Sequence, residues 1–277
     1  MADRALEIVP MSGAIGAELH GVDLSSGLSD AELAQVRDAF HSYLVVSFPD
    51  QKLSAKQLST FARRFGPLFL HPHVSPVEGH PEVQRVCKEP DTVNYNFGVT
   101  WHTDGSFLQT PALGTMLHAQ ELPPVGGDTL FSNMYLAYES LSAGMRSVLD
   151  ELYAAHSGGN TYGPWGARKR KQALGGAPPD DEFEHPVVGV HPVTGRQFLY
   201  VNRVFTTNFR AMTLDESLPL LEQLTDHLSR PEFTCRIRWS PNMLVLWDNR
   251  ATQHCAIDDY AGHRRLLNRV VILSSRG

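Results

Sequence analysis

Short apolar runs cut by glycine and proline limit what this chain can fold into more than any other feature. Phe233, Cys235, Ile237 and Trp239 alternate with Thr234, Arg236 and Arg238, the period-two pattern of a half-buried strand. Residues 243–247 and 266–273 are continuous apolar runs of strand length. Pro192-Val193-Thr194-Gly195 is a tight turn between the runs 187–190 and 198–201, which predicts a hairpin. Helical spacing is confined to separate stretches. Ser29-Asp30-Ala31-Glu32 and Ser54-Ala55-Lys56-Gln57 read as capping boxes, followed by the stripes Leu33, Val36, Phe40 and Leu58, Phe61, Phe65. A third helix is expected over residues 142–155, and a fourth from Thr213-Leu214-Asp215-Glu216 with Leu220, Leu221, Leu224 and Leu228 facing inward. Strands in series with helices set apart predict a mainly β protein with flanking helices, an antiparallel sandwich or barrel. The βαβ alternation and Gly-rich phosphate loop of nucleotide-binding folds do not occur in the sequence.

The 277 residues carry a formal charge of −6 and 42% hydrophobic residues, which excludes a disordered or collagen-like chain. Cys87, Cys235 and Cys255 are odd in number and widely spaced, so they form no disulfide framework and suit a reducing compartment. The first residues lack the apolar run of a secretory signal and no stretch is long enough to span a bilayer, so the expectation is a cytoplasmic protein with no membrane association. Net acidity argues against a nucleic-acid partner. The basic run Arg168-Lys169-Arg170-Lys171 is opposed by Asp180, Asp181, Glu182 and Glu184 and reads as a solvated face. Residues 158–179 are rich in Gly, Lys and Arg and read as a long loop, either disordered or a lid over a site.

Trp101-His102-Thr103-Asp104 is the most informative tetrapeptide. In an extended segment His102 and Asp104 point to one side, where an imidazole and a carboxylate can share a cation. With 13 histidines in the chain such a pair arises readily by chance, so a third ligand is needed. Trp247-Asp248-Asn249-Arg250-Ala251-Thr252-Gln253-His254 offers one, with His254 at the start of the element after a polar turn. Two imidazoles and a carboxylate on one face of a metal make the facial triad of non-haem Fe(II) oxygenases, with open positions opposite. A closed zinc site would want a fourth ligand, typically thiolate. Arg265 and Arg269, four apart in the closing strand, share a face while Arg264 points the other way. Inward guanidinium groups need partners, and either a bound dicarboxylate or structural salt bridges would serve. Thr129, after the Gly126-Gly127 turn, could donate to such a carboxylate or be an ordinary strand threonine.

These motifs and others resemble, over nearly the whole chain, the 2-oxoglutarate- and Fe(II)-dependent dioxygenases of the taurine dioxygenase and phenoxyacetate-herbicide dioxygenase superfamily. The resemblance is carried by Ile15-Gly16-Ala17-Glu18-Leu19-His20-Gly21-Val22-Asp23-Leu24, Phe65-Gly66-Pro67, Trp101-His102-Thr103-Asp104, Gly126-Gly127-Asp128-Thr129, His185-Pro186-Val187-Val188, the stretch from Trp247 to His254, and Arg265 with Arg269. It implies one domain over residues 1–277, folded as a double-stranded β-helix, the cupin-like jelly roll. It further implies Fe(II) on His102, Asp104 and His254, and the distal carboxylate of 2-oxoglutarate on Thr129 and Arg265. The same resemblance implies O₂ as the second co-substrate. Arg269 would meet the anionic head of a small organic substrate, with His71 and Phe205 in the same pocket. A homodimer or homotetramer is the expected assembly.

The chain departs from the taurine enzymes in carrying His73-Val74 where they have a tyrosine, Gly98 where they have an asparagine, and Cys255 after the distal histidine. The first two argue against taurine itself. Asn94, Tyr95, Asn96, Phe97, Tyr162 and Trp165 could line a larger or more aromatic pocket. A sulfonate, sulfate ester or aryloxyalkanoate fits the expected reaction. The rival readings are a zinc-dependent hydrolase using the same three ligands, which needs neither Arg265 nor 2-oxoglutarate, and a non-catalytic metal-binding barrel.

Overall fold

The computed structural model describes residues 6–70, 74–92, 98–158 and 182–274. His71, residues 94–97, Tyr162, Trp165, the basic run and all but the first residue of the 158–179 stretch lie outside them.

The strands are β1 (Glu7–Pro10), β2 (Ala17–His20), β3 (Val45–Phe48), β4 (Pro76–Val77), β5 (His80–Lys88), β6 (Ala112–Glu121), β7 (Thr129–Asn133) and β8 (Tyr153–Ser157). They continue with β9 (Glu182–Pro186), β10 (Val188–Val190), β11 (Gln197–Leu199), β12 (Thr206–Phe209), β13 (Thr234–Ile237), β14 (Leu244–Asp248), β15 (Thr252–Ala256) and β16 (Arg265–Leu273). The helices are α1 (Asp30–Tyr43), α2 (Ala55–Arg63), α3 (Met134–Glu139), α4 (Ala143–Leu149) and α5 (Leu214–Leu228).

The protein is mainly β. A major sheet runs β1-β2-β3-β14-β6-β16-β5-β4, antiparallel except where β2 meets β3. Two three-stranded sheets, β13-β7-β15 and β12-β8-β9, and the expected hairpin β10-β11 hold the other strands among the described residues. The unbroken apolar run in β14 follows from burial on both faces. Leu244 and Leu246 pack with Leu33, Val36, Phe40, Leu58 and Phe61 of α1 and α2. Val245 and Trp247 point the other way, into a core shared with Phe131 of β7 and Leu221, Leu224 and Leu228 of α5. Trp247 touches Phe131 edge-on at 5.3 Å between ring centroids, so the major sheet and the β13-β7-β15 sheet meet at this point.

Both capping boxes form: Ser29 and Ser54 accept from the backbone of Glu32 and Gln57, which reach back to them. A third closes at Thr213 and Glu216 of α5. The third expected helix is shorter than its sequence suggested. Ser142 caps α4, which ends at Leu149, and residues 153–157 are instead β8, paired with β9 and β12. Ala154 and Ala155 favour helix in isolation, but the buried ladder overrides that propensity. α3, capped by Asn133, was not anticipated. The alternation at 233–239 holds in burial, but only residues 234–237 are strand: Phe233 closes a 3-10 turn and Trp239 lies beyond β13.

His156 of β8 is fully buried and stacked on Tyr200, and its Nδ1 has no hydrogen-bond partner among the described residues. Burial, reinforced by His185, pushes its pKa down to about 3. The folded ring stays neutral while the unfolded chain takes up a proton below the ordinary histidine value, so stability rises with pH through that window. Between pH 6.5 and the folded pKa this group alone costs about 1.4 kcal/mol per unit of acidification. Thermal melts from pH 7 to 5 should therefore show falling stability, with a shallower slope in His156→Leu. An unchanged slope would contradict the assignment.

Candidate metal centre and anion anchors

His102 and His254 are paired backbone to backbone: His102 N–H donates to His254 O at 3.1 Å and His254 N–H to His102 O at 2.9 Å. Their rings lie 4.1 Å apart between centroids. His102 Nδ1–H donates to the Thr100 carbonyl at 2.7 Å, which leaves Nε2 unprotonated and 3.7 Å from Asp104 Oδ1. Asp104 itself is not in an extended segment. It starts a turn through Gly105 at φ 70°, and the turn still delivers the carboxylate to the face of His102. His254 sits in the middle of β15 rather than at its start, opposite Phe131 in the β7 register. The three residues are buried, and one ligating atom from each lies within 4.8 Å of the others.

Electrostatics prepare the group for a cation. Burial holds both imidazoles below the ordinary histidine value. Burial pushes the Asp104 carboxyl up, but Arg269, the two histidines and the Thr115 hydroxyl outweigh it and bring it to about 2. At neutral pH the site therefore presents two neutral imidazoles and one carboxylate, the protonation state a divalent metal requires. Nδ1 of His254 has no hydrogen-bond partner among the described residues. The nitrogen-oxygen donor set fits Fe(II), and no thiolate contributes.

A second group, His41, His191 and Asp248, also clusters but is built as a clamp. His191 Nδ1 accepts from the backbone of Val193 and Thr194, so the ring proton is on Nε2, which donates to Asp248 at 3.0 Å. Arg250 spans both oxygens of the same carboxylate. This fixes the turn between β14 and β15, and with it His254.

Thr129, Phe131 and His254 share one face, since Phe131 and His254 are register partners and Thr129 is two residues away along β7. Trp239 Nε1–H donates to Thr129 Oγ1 at 3.1 Å, leaving the threonine O–H as a donor to the site. Arg265, the first residue of β16, is buried with its guanidinium carbon 5.7 Å from the Trp239 ring and 5.9 Å from the Tyr260 ring. Gly127 makes room for it: at φ 72°, a Cβ there would stand 3.0 Å from Arg265 Cδ. Asp259 secures that turn by accepting from Gly127 N–H at 2.7 Å.

Arg269 is also buried, as their shared face requires, while Arg264 is turned outward to Glu89 and Glu121. Arg269 Nη1 lies 3.4 Å from Asp104 Oδ1, and its Nε–H donates to Gln84 Oε1 at 2.8 Å. Phe205 stands 6.3 Å from the His102 ring and 4.9 Å from Phe107 between centroids. Asn202 Oδ1 holds the backbone of Val204 and Phe205, and its Nδ2–H₂ donates to Ser106. Sequence reasoning missed Trp239, Tyr260, Gln84, Asn202, Thr115 and Asn249. Thr115 carried a faint signal, a hydroxyl inside an otherwise apolar strand segment.

The profile of the taurine catabolism dioxygenase TauD, TfdA family matches residues 7–271. An alpha-ketoglutarate-dependent sulfate ester dioxygenase of Pseudomonas putida is 32% identical over 96% of this chain and 89% of its own. An alpha-ketoglutarate-dependent 2,4-dichlorophenoxyacetate dioxygenase of Cupriavidus pinatubonensis is 30% identical over 95% and 96%. The crystal structure of a taurine dioxygenase from Burkholderia xenovorans superposes with a TM-score of 0.82 at 37% identity, covering 98% of this chain and 90% of that one.

Proposed function

The chain belongs to the taurine catabolism dioxygenase TauD, TfdA family, and from that premise we propose that His102, Asp104 and His254 hold Fe(II), that Thr129 and Arg265 take the distal carboxylate of 2-oxoglutarate, and that Arg269, His71 and Phe205 receive a small organic anion. The protein is an Fe(II)- and 2-oxoglutarate-dependent dioxygenase. The observation that carries the residue assignment is the buried meeting of two neutral imidazoles with an ionised carboxylate. When bound, Fe(II) supplies the oxidative chemistry, in which 2-oxoglutarate and O₂ become succinate and CO₂ while one oxygen atom enters a C–H bond of the substrate.

The protein's own part is binding, orientation and exclusion of water. Arg265 offers a fork of N–H donors and Thr129 a hydroxyl, a good match to a carboxylate. They lie on the two strands that lead away from the metal ligands, Thr129 about 7 Å along β7 from Phe131. Arg269, four residues from Arg265 on β16, adds a positive charge beside the triad where an anionic head can dock. Phe205, backed by Phe107, sets apolar surface beside His102 and would keep water from the reacting C–H bond. We read the facing sheets as a double-stranded β-helix and residues 1–277 as one domain, since the site draws on both sheets. A homodimer or homotetramer is part of the same proposal, checked by light scattering. Among the described residues no helix is long and apolar enough to cross a membrane. The hydrolase and non-catalytic readings are not favoured, because the matching family and the relatives described above are dioxygenases.

The proposed substrate class rests on a buried arginine beside Asp104 and on the relatives' range: a sulfate ester, a sulfonate or an aryloxyalkanoate. Succinate formation measured with Fe(II) and 2-oxoglutarate across a panel of these anions should rise above the substrate-free level for at least one class. Arg269→Leu should weaken binding of that anion by about 30-fold or more, as loss of one partner of a buried charge pair does. Uniform background across the panel would refute the substrate assignment.

A further inference from the structure

We propose that Thr115 and Asn249 are positioning residues that decide which oxygen of Asp104 meets the metal, an inference that rests on the metal assignment above. Three hydrogen bonds run in series to that carboxylate. Trp247 Nε1–H donates to Asn249 Oδ1 at 2.8 Å, Asn249 Nδ2–H₂ donates to Thr115 Oγ1 at 2.9 Å, and Thr115 Oγ1–H donates to Asp104 Oδ2 at 3.0 Å. All four residues are buried.

The direction of the series is fixed by chemistry. An indole N–H can only donate, so Asn249 must turn its carbonyl oxygen to Trp247 and its amide hydrogens to Thr115. The threonine oxygen then accepts, and its single hydrogen is left for Asp104. An ionised carboxylate accepts only, so no step can reverse without leaving a buried group unsatisfied. Asn249 is held from the backbone as well, its N–H donating to Leu113 O at 3.0 Å. Thr115 lies on β6 directly opposite Trp247 of β14 and Val271 of β16, paired on both sides within the major sheet.

The two carboxylate oxygens are thereby made different. Oδ2 is committed to Thr115, whereas Oδ1 faces His102 Nε2 at 3.7 Å and Arg269 at 3.4 Å. The Thr115 bond thus holds the carboxylate plane with Oδ1 turned towards the His102 imidazole, and Oδ1 would be the oxygen offered to a bound metal. The same indole packs 4.7 Å from the His254 ring, so one anchored side chain sets the position of two ligands.

The test uses the full chain, stripped of metal and titrated with Mn(II) while the electron paramagnetic resonance signal of free Mn(II) is followed; no turnover is involved. Thr115→Val removes the donor at nearly constant shape and should weaken Mn(II) binding by about 10- to 100-fold, the usual effect of losing an outer-shell partner. Thr115→Ser restores the hydroxyl and should bind within about threefold of the wild type, since the single charge-assisted bond is remade. A purely structural role would lower the melting temperature of the metal-free protein and leave Mn(II) affinity alone. Wild-type affinity in folded Thr115→Val, or failure of Thr115→Ser to restore it, overturns the proposal. Should Thr115→Val not fold, Asn249→Ala decides: it leaves Asp104 and Thr115 in place but frees the hydroxyl to turn away, and wild-type affinity there overturns the proposal equally. If the wild type itself binds no Mn(II), the metal assignment fails rather than the positioning of its ligand.

Discussion

Replacement of His254 by alanine is expected to abolish Fe(II)-dependent succinate formation while the strands stay in place. In the proposed assignment His254 is one of three ligands, and its loss would leave only His102 and Asp104 to hold the cation. The decrease should exceed the roughly 10- to 100-fold that the loss of an outer-shell partner produces. Position makes the expectation sharper. The His254 backbone both donates to and accepts from His102, and neither bond needs the imidazole. The β7-β15 ladder is likewise a backbone feature, so the scaffold should persist. The cost to folding is confined to the space vacated beside Phe131, Trp247 and His102, whose ring centroids lie 5.8, 4.7 and 4.1 Å away. A cavity of that kind destabilises by about 2 to 4 kcal/mol, partly offset because the buried Nδ1 disappears with the ring. Circular dichroism about 20 °C below the wild-type midpoint, beyond the shift of about 4 to 16 °C that such a loss produces, separates an empty site from an unfolded chain. His102→Ala should behave alike. Sustained succinate formation in either variant would remove that residue from the ligand set.

How much of this was readable in the sequence depends on whether a residue's neighbours lie along the chain or across it. His102 and Asp104 are two apart, and their shared side survives even though Asp104 proves to lie in a turn. Arg265 and Arg269 were legible for the same reason, because a spacing of four in a strand fixes a common face whatever the partner strands are. The capping boxes at Ser29 and Ser54 were local and formed as read. Trp239, by contrast, looked like one more apolar strand residue. Its role comes from the pairing of Ile237 with Thr129, which brings the indole N–H to the threonine hydroxyl across a sheet. Thr115 and Asn249 are 134 positions apart, and only the β14-β6 register joins them. The misread helix has the same origin: the alanines of residues 154–155 obey the ladder with β9 and β12, which no local pattern announces.

Arg265→Leu is expected to raise the KM for 2-oxoglutarate far more than it changes kcat. A carboxylate and a guanidinium removed together from water form the kind of pair whose truncation costs about 2 to 5 kcal/mol, or about 30-fold to several thousand-fold in affinity. The proposed interaction would be made equally in the ground state and in the transition state, because the distal carboxylate takes no part in bond making, so the loss should appear in binding. Thr129→Val should cost less, about 10-fold or somewhat more, as for one hydrogen bond to a charged group. It also leaves the Trp239 N–H without its acceptor. Gly127→Val gives the most discriminating result, since it alters neither side chain assigned to the carboxylate. Its Cβ would lie 3.0 Å from Arg265 Cδ and 3.1 Å from Nε, on a backbone at φ 72° that L residues rarely adopt. If the guanidinium works by position as well as charge, this variant should reproduce most of the Arg265→Leu increase with the arginine still present. Arg265→Lys makes the complementary case, retaining the charge but not the planar fork, and should fall between the wild type and leucine. A KM for 2-oxoglutarate that stays unchanged in Arg265→Leu, with the loss appearing in kcat instead, would place this arginine in the reaction rather than in the anchoring of the co-substrate.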